Sequence, residues 1–425
     1  MSKVRVGVIG VGRGSMIGKY CQDADNAEVV AICDKWEEGL KKESEKLKSS
    51  DITYYTDYDL FLEHDMDVVV LANYATEHAP FAIKAMEAGK HVISEVLPVQ
   101  TMAQAVQLIE CIERTGKKYC YAENYCFMNA PHEMRLKYQA GELGEFEYGE
   151  GEYLHNCEPG WYKLTHGDRN HWRNRMSAFF YCTHSVGPLL HITGMRPISV
   201  TGFECPFNAR MARMGAAAGH TAVEMVTLEN GAIIKSLHGV GCSKNSIWYT
   251  VYGSKGRIES AREDAGQSDV SRIYTNLDPR ELSTYHKDIK TYIPEYPYSD
   301  IAKKHGHGGS DFYCLHNAFD YVAGDKDADI VDVYEALDMW MCGFFGYISV
   351  LNGGVPTKIP DLRDPNVREE YRNDNRCTDP KIAGDQLLCP YSKGEPEIPD
   401  AVYEVHRNAW EKDQQIIEYG MKDEK

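Results

Sequence analysis

Six residues near the start of the chain, Gly10-Val11-Gly12-Arg13-Gly14-Ser15, have the types that a phosphate-binding turn needs. They follow the apolar run Val4–Ile9 and open a helical stretch. Small residues let the chain turn tightly and bring backbone N–H groups up to a pyrophosphate at a helix N-terminus. Ser15 holds the usual third glycine position, with Gly14 just before it. Asp34 ends the next apolar run. A carboxylate there accepts hydrogen bonds from a ribose 2′-OH and repels a 2′-phosphate, which favours NAD over NADP. No pair of carboxylates stands out as acid and base for one bond. His305 with His307, and His166 with His171, lack the cysteine, histidine or carboxylate spacing of a metal site. No metal is expected at these positions.

The elements that must position this turn alternate. Val4–Ile9, Val29–Cys33, Asp67–Leu71, His91–Ser94 and Lys118–Ala122 read as strands. Helical stretches separate them, at Trp36–Lys48, Phe81–Ala88 and Thr101–Thr115. Strand–helix alternation with nearly continuous Val/Ile/Leu runs predicts a doubly wound parallel sheet, the Rossmann arrangement. After about Tyr125 the texture changes. Phe146–His155 alternates as a half-buried antiparallel strand does. Ile198–Glu204, Ala222–Leu228, Ala232–Leu237, Ile247–Tyr252 and Arg257–Ser260 follow with turn signals between them. The fold class is α/β, with a second α+β domain on an open, mainly antiparallel sheet. Asp332–Leu351 reads as one long helix. The expected domains are residues 1–125, 126–360 and a C-terminal extension, 361–425, that wraps the surface and carries a last helix near Val402–Tyr419. Tyr292–Tyr298 reads as an ordered loop.

Composition narrows the function. The chain has 425 residues, 43% hydrophobic and 26% charged, which is ordinary for globular proteins. Its formal net charge is -18, and no long Lys/Arg run offsets it, so a nucleic-acid partner is not expected. No apolar run reaches the ~20 residues of a membrane span. Thirteen cysteines without a C-x-x-C pair, and no secretory signal, suggest reduced thiols and a cytoplasmic location. An open sheet face suggests a homo-oligomer, dimer or tetramer.

Further segments resemble a known group. His91-Val92-Ile93-Ser94-Glu95 resembles the strand before the Glu-Lys-Pro motif of the Gfo/Idh/MocA oxidoreductases, but the chain continues Val96-Leu97-Pro98 and lacks the family lysine. The pair Glu95-Val96 is similar to that of glycoside hydrolase family 109, NAD-dependent α-N-acetylgalactosaminidases of this superfamily. Glu123-Asn124, Tyr153-Leu154-His155, Trp172-Arg173, Tyr181-Cys182-Thr183-His184 with Gly187-Pro188, Gly306–Phe312 and Asp332-Val333-Tyr334 extend the likeness from residue 10 to about 340. Asn245 stands where that group has a tyrosine.

The resemblance implies a tightly held NAD surrounded by Gly10, Gly12, Arg13, Gly14, Ser15, Asp34, Asn73, His78, Glu95, Val96 and Asn124. It implies a sugar or glycoside facing Tyr153, Arg173, Tyr181 and His184, with His307 nearby. The catalytic candidates are His184, Tyr181, Tyr153 and Glu123. The implied reaction is redox-neutral: transient oxidation at sugar C3, loss of the C2 proton, elimination of the C1 substituent, water addition and re-reduction. His184, with an ordinary pKa of ~6.5, suits the C3 hydroxyl proton. Tyr181 or Tyr153 suits the C2 proton if a cation such as Arg173 lowers its pKa. Arg173 could instead grip an anionic substituent. Glu123 could orient His184 or contact sugar hydroxyls. Two alternatives share the cofactor residues: a net NAD-dependent sugar or cyclitol dehydrogenase, and a non-catalytic NAD-binding regulator.

Overall fold

A computed structural model of the chain describes residues 3–47, 49–262, 271–275 and 289–423. Lys48, at the end of the expected second helix, and the last two residues lie outside these. Six parallel strands form the first sheet: β1 (Val4–Ile9), β2 (Ala27–Cys33), β3 (Thr53–Tyr55), β4 (Val68–Leu71), β5 (His91–Ser94) and β6 (Tyr119–Tyr121). Their order is β3-β2-β1-β4-β5-β6. All four residues of β4, Val-Val-Val-Leu, are buried, as a central strand covered on both faces requires. The Met102–Thr115 helix packs beside the sheet. Thr101 caps its N-terminus by accepting from the Gln104 N–H, and Gly116 ends it in the left-handed region.

The second sheet has nine strands: β7 (Phe146–Asn156), β8 (Pro197–Glu204), β9 (Ala222–Leu228), β10 (Ile233–Gly239), β11 (Gly241–Gly253), β12 (Gly256–Ser260), β13 (Ser271–Thr275), β14 (Ile289–Tyr292) and β15 (Thr357–Lys358). Their order is β14-β13-β12-β11-β7-β10-β9-β8-β15. The sheet is mixed and mainly antiparallel. β7 is antiparallel to β11, as expected, but parallel to β10. The chain returns to β10's edge only after crossing the face as the Thr183–Thr193 helix, so two strands can run the same way.

That helix went unread in the sequence and is central to the site. It lies directly on β7: a Cβ on Gly151 would fall 1.9 Å from the Ser185 carbonyl oxygen. Only glycine permits this approach, which sets Tyr153 of β7 against His184 of the helix. The Val333–Leu351 helix is buried over most of its length and capped by Asp332, close to the expected boundary. Tyr296, in the expected 292–298 loop, donates to Glu133 at 2.8 Å, so that loop is pinned to the body.

Beyond residue 360 the chain adds further helices. Its Pro365–Tyr371 helix docks on the Met102–Thr115 helix through Arg368–Glu113 and Arg372–Glu110 pairs. The last helix spans Asp400–Asp423, longer than expected. No helix among the described residues is long and apolar enough to cross a membrane.

Candidate active site

The glycine-rich turn divides three tasks among three glycines. Gly10 has φ +98°, and a Cβ there would lie 2.4 Å from the Ala72 carbonyl oxygen, so the tight turn needs glycine. A Cβ on Gly12 would meet nothing within 4 Å, leaving its backbone open to a ligand. A Cβ on Gly14 would strike Val8 at 2.7 Å, so Gly14 lets helix and strand close up. The closing-up role falls on Gly14, and Ser15 instead bonds back to the Gly12 carbonyl at 3.2 Å. Asp34 accepts from the N–H groups of Val11 and Trp36 at 2.8 and 2.9 Å. Each carboxylate oxygen keeps a second lone pair for a ribose hydroxyl. The turn and the acidic strand end fit NAD.

A cleft of about 430 Å³, the size of small-molecule sites, opens at the C-terminal ends of these strands. Arg13, Asn73, His78, Glu95, Val96, Asn124, Tyr153, Arg173, Tyr181, His184 and His307 all line it. His78 is buried and spans two carbonyls, Leu97 at 2.8 Å and Asn73 at 3.3 Å. Burial lowers its pKa to about 4, so the ring is neutral and its single N–H serves one carbonyl, the nearer being Leu97. Asn245 is spent on structure, accepting from the Asn156 N–H at 2.7 Å.

Two carboxylate–imidazole pairs converge on the cleft. Glu123, fully buried at the end of β6, accepts from His184 Nδ1 at 2.6 Å. The proton is thereby fixed on Nδ1, and Nε2 presents a lone pair. Three tyrosines surround the His184 ring, Tyr125 at 4.4 Å, Tyr153 at 4.7 Å and Tyr181 at 5.8 Å between centroids. The second pair is His307 Nδ1 with Asp311, at 3.0 and 3.1 Å. Asp311 also takes a bidentate bond from Arg13 and one from Asn124 at 2.7 Å. Burial works to raise its pKa, and the His307 and Arg13 bonds overcome that, holding it well below the usual range. Arg13 reaches Glu95 with Nε at 2.8 Å, where burial raises the carboxyl pKa.

The two candidate tyrosines differ. Arg173 stacks over Trp172 at 4.3 Å and donates to the Tyr181 hydroxyl. Tyr153 has the opposite environment: burial, then Tyr125 and Tyr181, push its pKa well up. Sequence reasoning missed Tyr125, His155 and Cys157 on the cleft wall, and Asp311 behind it. Tyr125 adjoins Glu123-Asn124, and Asp311 closes the quoted glycine-rich segment, so both signals were within reach. No group of three metal-ligating side chains occurs among the described residues.

Fold and cleft together define an NAD-binding enzyme with a Rossmann sheet and a second, mixed sheet. Residues 4–123 match the model of the Gfo/Idh/MocA oxidoreductase family, NAD-binding Rossmann fold. Residues 203–367 match the glycosyl hydrolase 109 C-terminal domain. The chain thus pairs a segment similar to the Gfo/Idh/MocA NAD-binding domain with one similar to the glycosyl hydrolase 109 C-terminal domain. It is 27% identical to glycosyl hydrolase family 109 protein 5 of Phocaeicola vulgatus, over 88% of this chain and 80% of that one. It is 26% identical to a glycosyl hydrolase family 109 protein of Porphyromonas gingivalis, over 86% of each. Among solved structures, levoglucosan dehydrogenase with NADH and L-sorbose shares the fold at TM-score 0.69 and 17% identity, covering 85% of this chain and all of that one. Myo-inositol 2-dehydrogenase of Lactobacillus plantarum does so at TM-score 0.63 and 16% identity, covering 84% of this chain and 100% of that one.

Proposed function

We propose that this enzyme cleaves a glycoside by a redox-neutral route, with NAD recycled in each turnover. One observation carries the reading: Tyr181 beside Arg173 and His184 beside Glu123 give one cleft two separately supported proton acceptors. A simple dehydrogenase needs one. Relatives named as glycosyl hydrolases support the same direction. Bound NAD supplies a reversible hydride acceptor at sugar C3.

The protein residues carry the proton traffic. His184 Nε2 accepts the C3 hydroxyl proton while Glu123 stabilises the imidazolium. The resulting ketone acidifies C2–H. The Tyr181 oxygen, held by the Arg173 guanidinium, takes that proton. His307, held by ionised Asp311, donates a proton from Nε2 to the departing C1 oxygen. It then takes a proton from the water that adds at C1. Tyr181 returns a proton to C2, and His184 returns one to the C3 oxygen. Protons and electrons balance, and the net reaction is hydrolysis. Val96, in place of the family lysine, leaves no ammonium at that position to serve the C3 hydroxyl.

We read the open face of the second sheet, which exposes Phe203 and Ile233, as the surface for a second copy of the chain. A panel of chromogenic glycosides tests the function, with aglycone release and reduced nicotinamide followed in one cuvette. Repeated release without NADH build-up is expected. NADH accumulating with substrate loss and no release would favour the dehydrogenase.

A further inference from the structure

The cofactor groove does not end at the chemistry. A second cavity, of about 460 Å³, adjoins the cleft. Asn73 and Ala75 line the cleft, while Tyr74, Thr76 and Glu77 of the same loop line the second cavity. Arg173 and Trp172 divide in the same way. Lys35, the residue after Asp34, forms part of its floor. In a Rossmann sheet the acidic residue ending β2 marks the adenosine end of the dinucleotide. The second cavity therefore lies at the adenosine end. Asp168 to Met176 form a second wall, and Thr378 to Ile382, far along the chain, form a third.

We propose that this cavity is the adenosine pocket of NAD, and that residues 379–382 are its roof, so that the cofactor leaves only when the C-terminal strap lifts. The chemistry of the walls suits a nucleoside. Tyr74, 37% exposed, and Trp172 pack side by side in the cavity wall, 6.3 Å apart between centroids, and Lys35 Nζ lies 5.2 Å from the Tyr74 ring centre, giving an aromatic and cationic wall for a nucleoside. The roof is anchored on both sheets' layers. Arg368 grips Glu113 at 2.8 and 2.9 Å, and Arg372 grips Glu110 at 3.0 and 2.6 Å. The Ala103 N–H donates to the Asp374 carbonyl at 3.0 Å. Arg175, from the other wall, donates to the Thr378 carbonyl at 3.2 Å. Beyond the roof, Gln414 accepts from Lys42 on the Glu37–Leu47 helix at 3.1 Å. A strap tied at both ends across the nucleotide slows its exit, as a recycled cofactor requires. The inference rests on NAD as cofactor and not on glycosidase chemistry.

The test follows NAD itself, without turnover. Full-length protein is loaded with NAD and chased with excess isotopically labelled NAD, and the bound pool is read by mass spectrometry. Two variants are compared with wild type. Ile382→Gly opens the roof at a residue already 38% exposed, and Arg368→Ala with Arg372→Ala frees the anchor. Hydrogen exchange of residues 378–386 is measured with and without NAD. At least ten-fold faster exchange of NAD in either variant is expected, with NAD-dependent protection of 378–386 in wild type. Exchange within two-fold of wild type in both variants, or no protection by NAD, would overturn the proposal.

Discussion

Glu123 Oε1 lies 2.6 Å from His184 Nδ1, with the carboxylate fully buried behind the cleft. The pair fixes the imidazole tautomer and stabilises its charged form after proton uptake. Glu123→Gln keeps the shape and removes the charge. Its kcat should fall by about 10²–10⁴-fold, in line with charge removal behind a catalytic histidine. NAD content after purification should not change, because Glu123 supports the imidazole rather than the dinucleotide. Steady-state kinetics and nucleotide analysis on the same sample check both.

Arg173 distinguishes the two candidate C2 bases. Tyr181→Phe should abolish exchange of the substrate C2 proton with solvent. Tyr153→Phe should retain it, since burial keeps that phenol protonated. Proton NMR in deuterated buffer reads the exchange directly. Retained exchange in the Tyr181 variant would remove it from the mechanism.

His307 should matter in proportion to the leaving group. An alkoxide needs a proton to depart, whereas a nitrophenolate does not. His307→Ala should cost alkyl glycosides at least about ten-fold more in kcat than nitrophenyl glycosides. Equal losses on both would assign His307 to binding.

Gly12 and Gly10 should separate cofactor binding from folding. Gly12→Ala meets no protein atom, so its Tm should stay near wild type while NAD affinity drops by about ten-fold. Gly10→Ala forces a Cβ onto the Ala72 carbonyl at positive φ and should lower Tm outright. Calorimetry and NAD titration of both variants test this.

His191 gives stability a pH dependence away from the cleft. It is buried, with Glu335 at 2.8 Å and Asp329 at 3.3 Å. Burial acts to lower its pKa, but the two carboxylates prevail and raise it from 6.5 to about 9. A raised pKa favours the fold fully below the unfolded value, and the benefit fades as pH climbs from 6.5 through 9. The loss is on the order of 3 kcal/mol at most. Tm should therefore fall across that window in wild type and fall less in His191→Gln.

Much of this architecture is legible in the residues. Apolar runs such as Val68–Leu71 give the parallel strands directly, because a strand buried on both faces needs no polar alternation. The Thr183–Thr193 helix is not legible: Gly187 and Pro188 read as breakers, and burial on nearly every face erases amphipathic periodicity. The parallel pairing of β7 with β10 follows from that same hidden crossover. The cleft residues were within reach through motif likeness, yet their partnerships were not. Arg13 and Asp311 are nearly three hundred residues apart, and only the fold brings that ion pair together.

Hydrolysis in deuterium oxide, with the product sugar analysed by NMR, tests the central claim most directly. The account predicts one deuterium at C2 from the Tyr181 step and the original hydrogen back at C3. A product with unlabelled C2, released at the normal rate, would contradict it.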